Sequence, residues 1–193
     1  MKNIIKRHFA ESSQLIRTMS NHEKEIIKIV NLISKCNTNN KKILIAGNGG
    51  SSADAEHFTG ELTCTFKSKK RAALSVICLS SQSSAITAWS NDFKYETFFA
   101  RQVEAHGKVG DILILISTSG GIKSSSMNLV NAANLAKRKG LKIISLVGKT
   151  GGQLKKISNI SINVKSFVTA HIQEAHMSIL HCICECLEKK IKN

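Results

Sequence analysis

Apolar residues along this chain gather into short uninterrupted runs separated by longer amphipathic stretches. Ile43–Ala46, Ala73–Leu79, Asp111–Ile116, Leu141–Val147 and a weaker Ile160–Val164 read as strands. Runs of this length, rich in Ile, Leu and Val, suit strands covered on both faces, as in a parallel sheet. Helical spacing falls between them, over Ala53–Thr65, Ser83–Ser90, Tyr95–His106 and Ser124–Lys139, with a last helix from about Ala170 to Lys190. Ahead of the first strand, residues 3–36 read as two helices broken near Ser20-Asn21, with Asn21 placed to cap the second. Strands alternating with helices predict an α/β fold: a five-stranded, mainly parallel sheet flanked by helices, of flavodoxin-like or Rossmann-like type, with an N-terminal helical extension. The chain has 193 residues, no internal repeat and no linker-like segment. The expectation is one domain over 1–193, with helices in 1–40 and the α/β core in 41–193.

Charge changes this picture little. Lys and Arg number 28 against 13 Asp and Glu, a net charge of +15. The basic residues are scattered; only Lys67–Arg71 is dense, and no aromatic residues are interleaved with it. A solvated basic surface that attracts phosphorylated small molecules is the expectation, and nucleic acid is not. No basic-then-apolar leader opens the sequence and no apolar run is long enough to span a bilayer, so a soluble, cytoplasmic protein with no membrane partner is expected. The six cysteines form no C-x-x-C pair, and reduced core thiols are expected.

The segment Lys42–Glu61, KILIAGNGGSSADAEHFTGE, carries the chemistry. An apolar strand breaks at Gly47-Asn48-Gly49-Gly50, where positive φ is accessible, and a helix follows through Ser51-Ser52 as N-cap residues, with Asp54 in its first turn. A glycine loop at a helix N-terminus offers backbone N–H groups and the positive end of a dipole to an anion. His57 and Glu61 lie four residues apart and so share one helix face beyond that site. The loop is not a Walker loop, lacking the Lys-Ser/Thr, and not a dinucleotide fingerprint, lacking the third glycine. A second anion-friendly loop, Ser117-Thr118-Ser119-Gly120, follows the third strand, and Gly148–Gly152 follows the fourth. Loops at the carboxyl ends of parallel strands are where such sheets collect ligands.

Taken together, GNGGSSADAEHF, Asn91-Asp92, DILILISTSG and IQEAHMSILH, in this order and over essentially the whole chain, resemble the sugar isomerase (SIS) domain and, within it, the phosphoheptose isomerase family. The resemblance implies an aldose–ketose isomerase that interconverts sedoheptulose 7-phosphate and glycero-manno-heptose 7-phosphate, supplying heptose for lipopolysaccharide or other surface glycans. It implies substrate contacts from Asn48, Gly49, Gly50, Ser51 and Gln173, sugar hydroxyls bound by Asn91 and Asp92, and phosphate held by Ser117, Thr118 and Ser119. Glu61, also in contact with substrate, and His181 would be the acid/base pair. His57, Glu61, Gln173 and His181 would ligate one Zn2+ per subunit, and the assembly would be a homotetramer with sites at subunit contacts. The last of the phosphate serines falls in a four-residue insertion: register with the downstream helix assigns it to Ser126, with Ser124 and Ser125 as alternatives. His171 stands where the family often has Arg before I-Q-E. His176 reads as a packed or surface histidine.

One relative of another class shares this fold: a non-catalytic, tetrameric module that binds the replication initiator DnaA. It lacks the catalytic Glu and the final His, which this chain keeps as Glu61 and His181.

Overall fold

A computed structural model describes residues 1–191. Its five strands, β1 (Ile43–Gly47), β2 (Val76–Cys78), β3 (Ile112–Ser117), β4 (Lys142–Gly148) and β5 (Ile160–Val164), form one sheet in the order β2-β1-β3-β4-β5. Every pairing is parallel, so the sheet is wholly rather than mainly parallel. The α-helices are α1 (Lys2–Arg17), α2 (Glu23–Thr38), α3 (Gly50–Thr63), α4 (Ser83–Asp92), α5 (Phe98–His106), α6 (Met127–Arg138), α7 (Gly152–Ile157) and α8 (Thr169–Lys190).

The two-residue period of each strand decides which layer a side chain joins. Ile43, Ile45, Ile112, Ile114, Ile116, Ile144, Leu146, Ile162 and Val164 face one side, where α2, α3 and α8 cover them. Leu44, Ala46, Leu113, Leu115, Ile143 and Val147 face the other, under α5, α6 and α7. Both layers bury mainly apolar side chains, which is why β1 and β3 read as near-continuous apolar runs, whereas the edge strand β5, Ile-Ser-Ile-Asn-Val, alternates. Burying each Leu or Ile contributes about 1.5–3 kcal/mol. The second helix belongs to this core: Ile26, Ile29, Val30 and Ile33 of α2 are all buried. The first helix lies outside, laid along α8, and leaves Ile4, Ile5 and Phe9 exposed.

Several local expectations change. The N-cap of α3 is Gly49, at φ 55° and ψ −123°, not Ser51-Ser52; Ser51 is buried inside the first turn. Asn21 caps nothing, since it sits in a 3-10 turn over Thr18–His22. The second strand is shorter than its apolar run. The short helix α7 went unforeseen because it is a single glycine-opened turn and a half. Arg71, the end of the dense basic run, is buried rather than solvated: its guanidinium donates to the carbonyls of Leu62 (3.0 Å), Ala72 (2.7 Å), Glu61 (2.6 Å) and Cys64 (3.3 Å). It thereby satisfies orphan carbonyls at the C-terminus of α3 and neutralises that end of the dipole. Cys36, Cys78 and Cys184 are free, buried thiols, but Cys64 and Cys182 are exposed. The basic tail continues to Lys192, which lies outside the described residues. Among those described, no helix is long and apolar enough to cross a membrane.

Candidate active site

The strand order reverses between β1 and β3, so the loops after these two strands diverge and leave a crevice at their carboxyl ends. A cavity of about 340 Å³ fills it, lined by Asn48, Gly49, Gly50 and Ser51 from the first loop and Ser117, Thr118, Ser119, Ser125 and Ser126 from the second. Thr169 and Gln173 of α8 close one side.

The first loop is held from beneath. Gly47 N–H donates to the Ser80 hydroxyl at 3.1 Å, and that hydroxyl donates back to the Gly47 carbonyl at 3.0 Å. A Cβ on Gly47 would lie 2.2 Å from the Ser51 carbonyl oxygen, so the helix can start this close to the strand only over glycine. The Asn48 side chain is locked: it exchanges paired amide hydrogen bonds with Asn128 at 3.0 and 2.8 Å and accepts from the Tyr95 hydroxyl at 2.8 Å.

The second loop presents a ring of hydroxyls. Ser117 Oγ donates to Ser126 Oγ at 3.0 Å, Ser119 Oγ lies 3.0 Å from Ser125 Oγ and 3.2 Å from Ser126 Oγ, and Gly120 N–H donates to Ser117 Oγ at 3.0 Å. Ser126 is the N-cap of α6, at φ 58°. The inserted residues therefore bulge away while the register of the helix brings Ser126 back to the cavity. Ser125 joins it; Ser124 and Lys123 are not in the lining, and Lys123 borders a separate cavity with Thr150 and Lys156.

From this cavity α3 and α8 run side by side in the same direction. At their starts, Gly50 lies under the Gln173 amide, where a Cβ would be 2.3 Å from Nε2. Two turns on, about 10 Å along the axis, His57 Nε2 lies 2.9 Å from His181 Nε2 and 3.3 Å from Glu61 Oε1. Phe66 stacks on the His181 ring. His57 thus joins the other two in a chain. Gln173 makes no hydrogen bond to them among the described residues, so the fourfold ligand set is gathered along the α3–α8 seam but is not closed. The donors suit a zinc-type ion, being two imidazole nitrogens and a carboxylate that meet at one imidazole. Asp54, a turn before His57, is buried with Oδ2 unpartnered, and burial pushes its carboxyl up to about 6 while the nearby His57 opposes this.

Asn91 and Asp92 are not brought to the cavity. They end the exposed helix α4, where Asn91 Nδ2 donates to Asp92 Oδ1 at 2.8 Å. Ser125, the alternative to Ser126 within the serine run, lines the cavity beside it, whereas Asn128, Tyr95 and Thr169 carry no signal in the sequence and reach the site by tertiary packing. His176 is packed, fully buried under β4.

Residues 7–148 match the family model of the SIS domain. The chain is 41% identical over 191 residues to a phosphoheptose isomerase of Helicobacter pylori (strain Shi470), covering 98% of this chain and 97% of that one. It is 41% identical over 184 residues to a probable phosphoheptose isomerase of Thermoplasma acidophilum, covering 95% and 98%. Among solved structures, the phosphoheptose isomerases of Neisseria gonorrhoeae and Francisella tularensis superpose with TM-scores of 0.89 and 0.90, at 33% and 34% identity, each covering 97% of this chain and 98% and 97% of theirs. This chain belongs to the SIS domain family, among the phosphoheptose isomerases, and is an enzyme of the isomerase class.

Proposed function

We infer that the protein interconverts sedoheptulose 7-phosphate and D-glycero-D-manno-heptose 7-phosphate in the cytoplasm, supplying heptose for a surface glycan such as lipopolysaccharide. The observation that carries this reading is the single seam joining a hydroxyl-lined anion cavity to the His57, Glu61 and His181 cluster two helical turns away. Ser117, Ser119, Ser125 and Ser126, with the α3 N-terminus, would hold the phosphate and set the register of the sugar along the seam. Glu61 would take the proton from C1 of the ketose and return it to C2 of the enediol. His181 would move the hydroxyl proton between O1 and O2, so that the carbonyl passes from C2 to C1 with no net gain or loss of protons. Gln173 would orient the substrate between the two ends. His57, Glu61, His181 and Gln173 would hold a Zn2+ ion, which when bound polarises the carbonyl and stabilises enediolate charge.

A homotetramer would give Asn91 and Asp92 a place at a subunit contact, and the exposed Ile4, Ile5 and Phe9 of α1 supply apolar surface for one. Retention of Glu61 and His181 in mutual reach of His57 disfavours the alternative of a protein-binding module acting on DnaA.

The test is an assay of the purified protein with sedoheptulose 7-phosphate, with and without a chelator. Turnover is expected, with Glu61→Gln lowering it by about a hundredfold or more. No product from the folded wild type would remove this assignment, and wild-type turnover in Glu61→Gln would remove Glu61 as the base.

A further inference from the structure

Where α1 crosses α8, a second cluster of ligand-type side chains stands apart from the seam. His8 Nε2 lies 3.3 Å from Glu174 Oε1, and His8 Nδ1 lies 3.3 Å from His171 Nε2. One ligand atom from each of His8, His171 and Glu174 falls within 4.8 Å of the others, and among the described residues this is the only group of three His, Cys, Asp or Glu that does so. We propose that His8, His171 and Glu174 form a second metal site, for a zinc-class divalent ion, that ties the N-terminal helix to α8.

The chemistry of the set supports it. Two imidazole nitrogens and one carboxylate oxygen are an ordinary zinc donor set, and bonds of 2.0–2.2 Å in a tetrahedron put neighbouring ligand atoms about 3.3–3.6 Å apart. The His8–Glu174 separation already matches. The His8 ring stands between its partners and is partly exposed, so rotation about its side-chain torsions brings one nitrogen toward both. The other two ligands are pre-set. His171 is 5% exposed and held by the packing of α8, and the Ser12 hydroxyl donates to the second Glu174 oxygen, the kind of outer hydrogen bond that orients a ligating carboxylate. A cavity of about 430 Å³ lined by Glu11, Gln14, Thr18, Lys165 and His171 opens beside the cluster and admits an ion and its remaining water.

Placement gives the site a role. His171 and Glu174 are three apart on α8 and face α1, whereas Gln173 between them faces the opposite way, into the substrate cavity. An ion here fixes the exposed α1 against the segment of α8 that carries Gln173. The site does not depend on the isomerase reading, since none of its ligands touches the cavity or the His57 cluster.

The experiment uses full-length protein carrying His57→Ala and His181→Ala, which removes both imidazole ligands of the seam and leaves it only Glu61 and Gln173. After chelator stripping, it is dialysed against micromolar Zn2+ and the metal per chain is measured; Co2+ is substituted in parallel for its visible absorption. Binding of one ion per chain is expected, with a tetrahedral Co2+ spectrum and a zinc-dependent rise in melting temperature. Adding His8→Ala, a change at a partly exposed residue that spares the buried His171, should abolish all three signals. Ser12→Ala should weaken binding by about 10- to 100-fold while leaving the stoichiometry at saturation unchanged. Absence of metal in the double variant, or unchanged affinity after His8→Ala, would show that the cluster is only a hydrogen-bonded helix contact and overturn the proposal.

Discussion

Gly50 offers a test of the seam that separates chemistry from folding. A methyl group there would sit 2.3 Å from Gln173 Nε2, 2.9 Å from Cδ and 3.0 Å from Oε1. Ordinary carbon contacts lie near about 3.5 Å, so the amide must retreat by about 1 Å. It is the far end of a flexible side chain facing a cavity, and it can swing away. The backbone does not resist either, because Gly50 opens α3 without positive φ, and alanine gains up to about 1 kcal/mol of helix propensity. Gly50→Ala should therefore melt within a few degrees of wild type. A displacement of about 1 Å in a positioning group costs on the order of a hundredfold in rate, so kcat/KM for sedoheptulose 7-phosphate should fall by about that factor. The cycle with Gln173→Ala sharpens the test: if the loss passes through the amide, Gly50→Ala should cost little more once that amide is gone. Full activity in Gly50→Ala would show that Gln173 does not position the substrate. Additive losses in the double variant would mean that the methyl group acts on something else.

Ser126→Ala should raise KM by about 10- to 100-fold, the worth of one hydrogen bond to a charged phosphate, while Ser124→Ala should leave it unchanged; the reverse order would show that the insertion is registered differently. Asp111 accepts from Lys42 Nζ at 2.7 Å and from the backbone N–H groups of Lys42 and Lys108 at 3.1 and 2.9 Å. Burial alone would raise its carboxyl, but these bonds outweigh it and hold it below its usual 3.8, so its stabilisation is present above that pH and lost as pH falls through the folded-state value. Asp111→Asn should cost about 1.5–3 kcal/mol in urea denaturation at pH 7, and a neutral result would discount the network. Burial pushes His176 down to about 4, opposed only in part by the Val147 backbone, and neither ring nitrogen makes a well-formed hydrogen bond. The unfolded chain takes up a proton below about 6.5 that the folded chain refuses until about 4, so stability should drop by up to about 3 kcal/mol across that interval. His176→Leu should flatten that slope, and an unchanged slope would assign it to other groups.

Much of this protein could be read before folding was considered. The apolar runs at Ile43–Ala46 and Asp111–Ile116 mark strands because a parallel sheet buries both faces, which leaves an unbroken hydrophobic signature in one dimension. Asn48–Ser51 and Ser117–Ser119 were legible for the same reason: strand, loop and helix start are consecutive in sequence, and a parallel strand order puts both loops on one edge. The register of α6 even carried Ser126 across the insertion. Residues whose roles depend on distance across the fold were not legible. Asn128 and Tyr95 lock Asn48 from 80 and 47 residues away, and nothing in their own neighbourhoods announces it. Arg71 looked like solvated charge because local composition cannot show that four carbonyls surround it. Pairing of His8 with His171 and Glu174 required α1 to fold back on α8 over more than 160 residues. Local pattern determines elements, because dihedral preferences and burial period act between near neighbours. Which side chains share a site is decided by packing, which acts between elements that only the tertiary fold brings together.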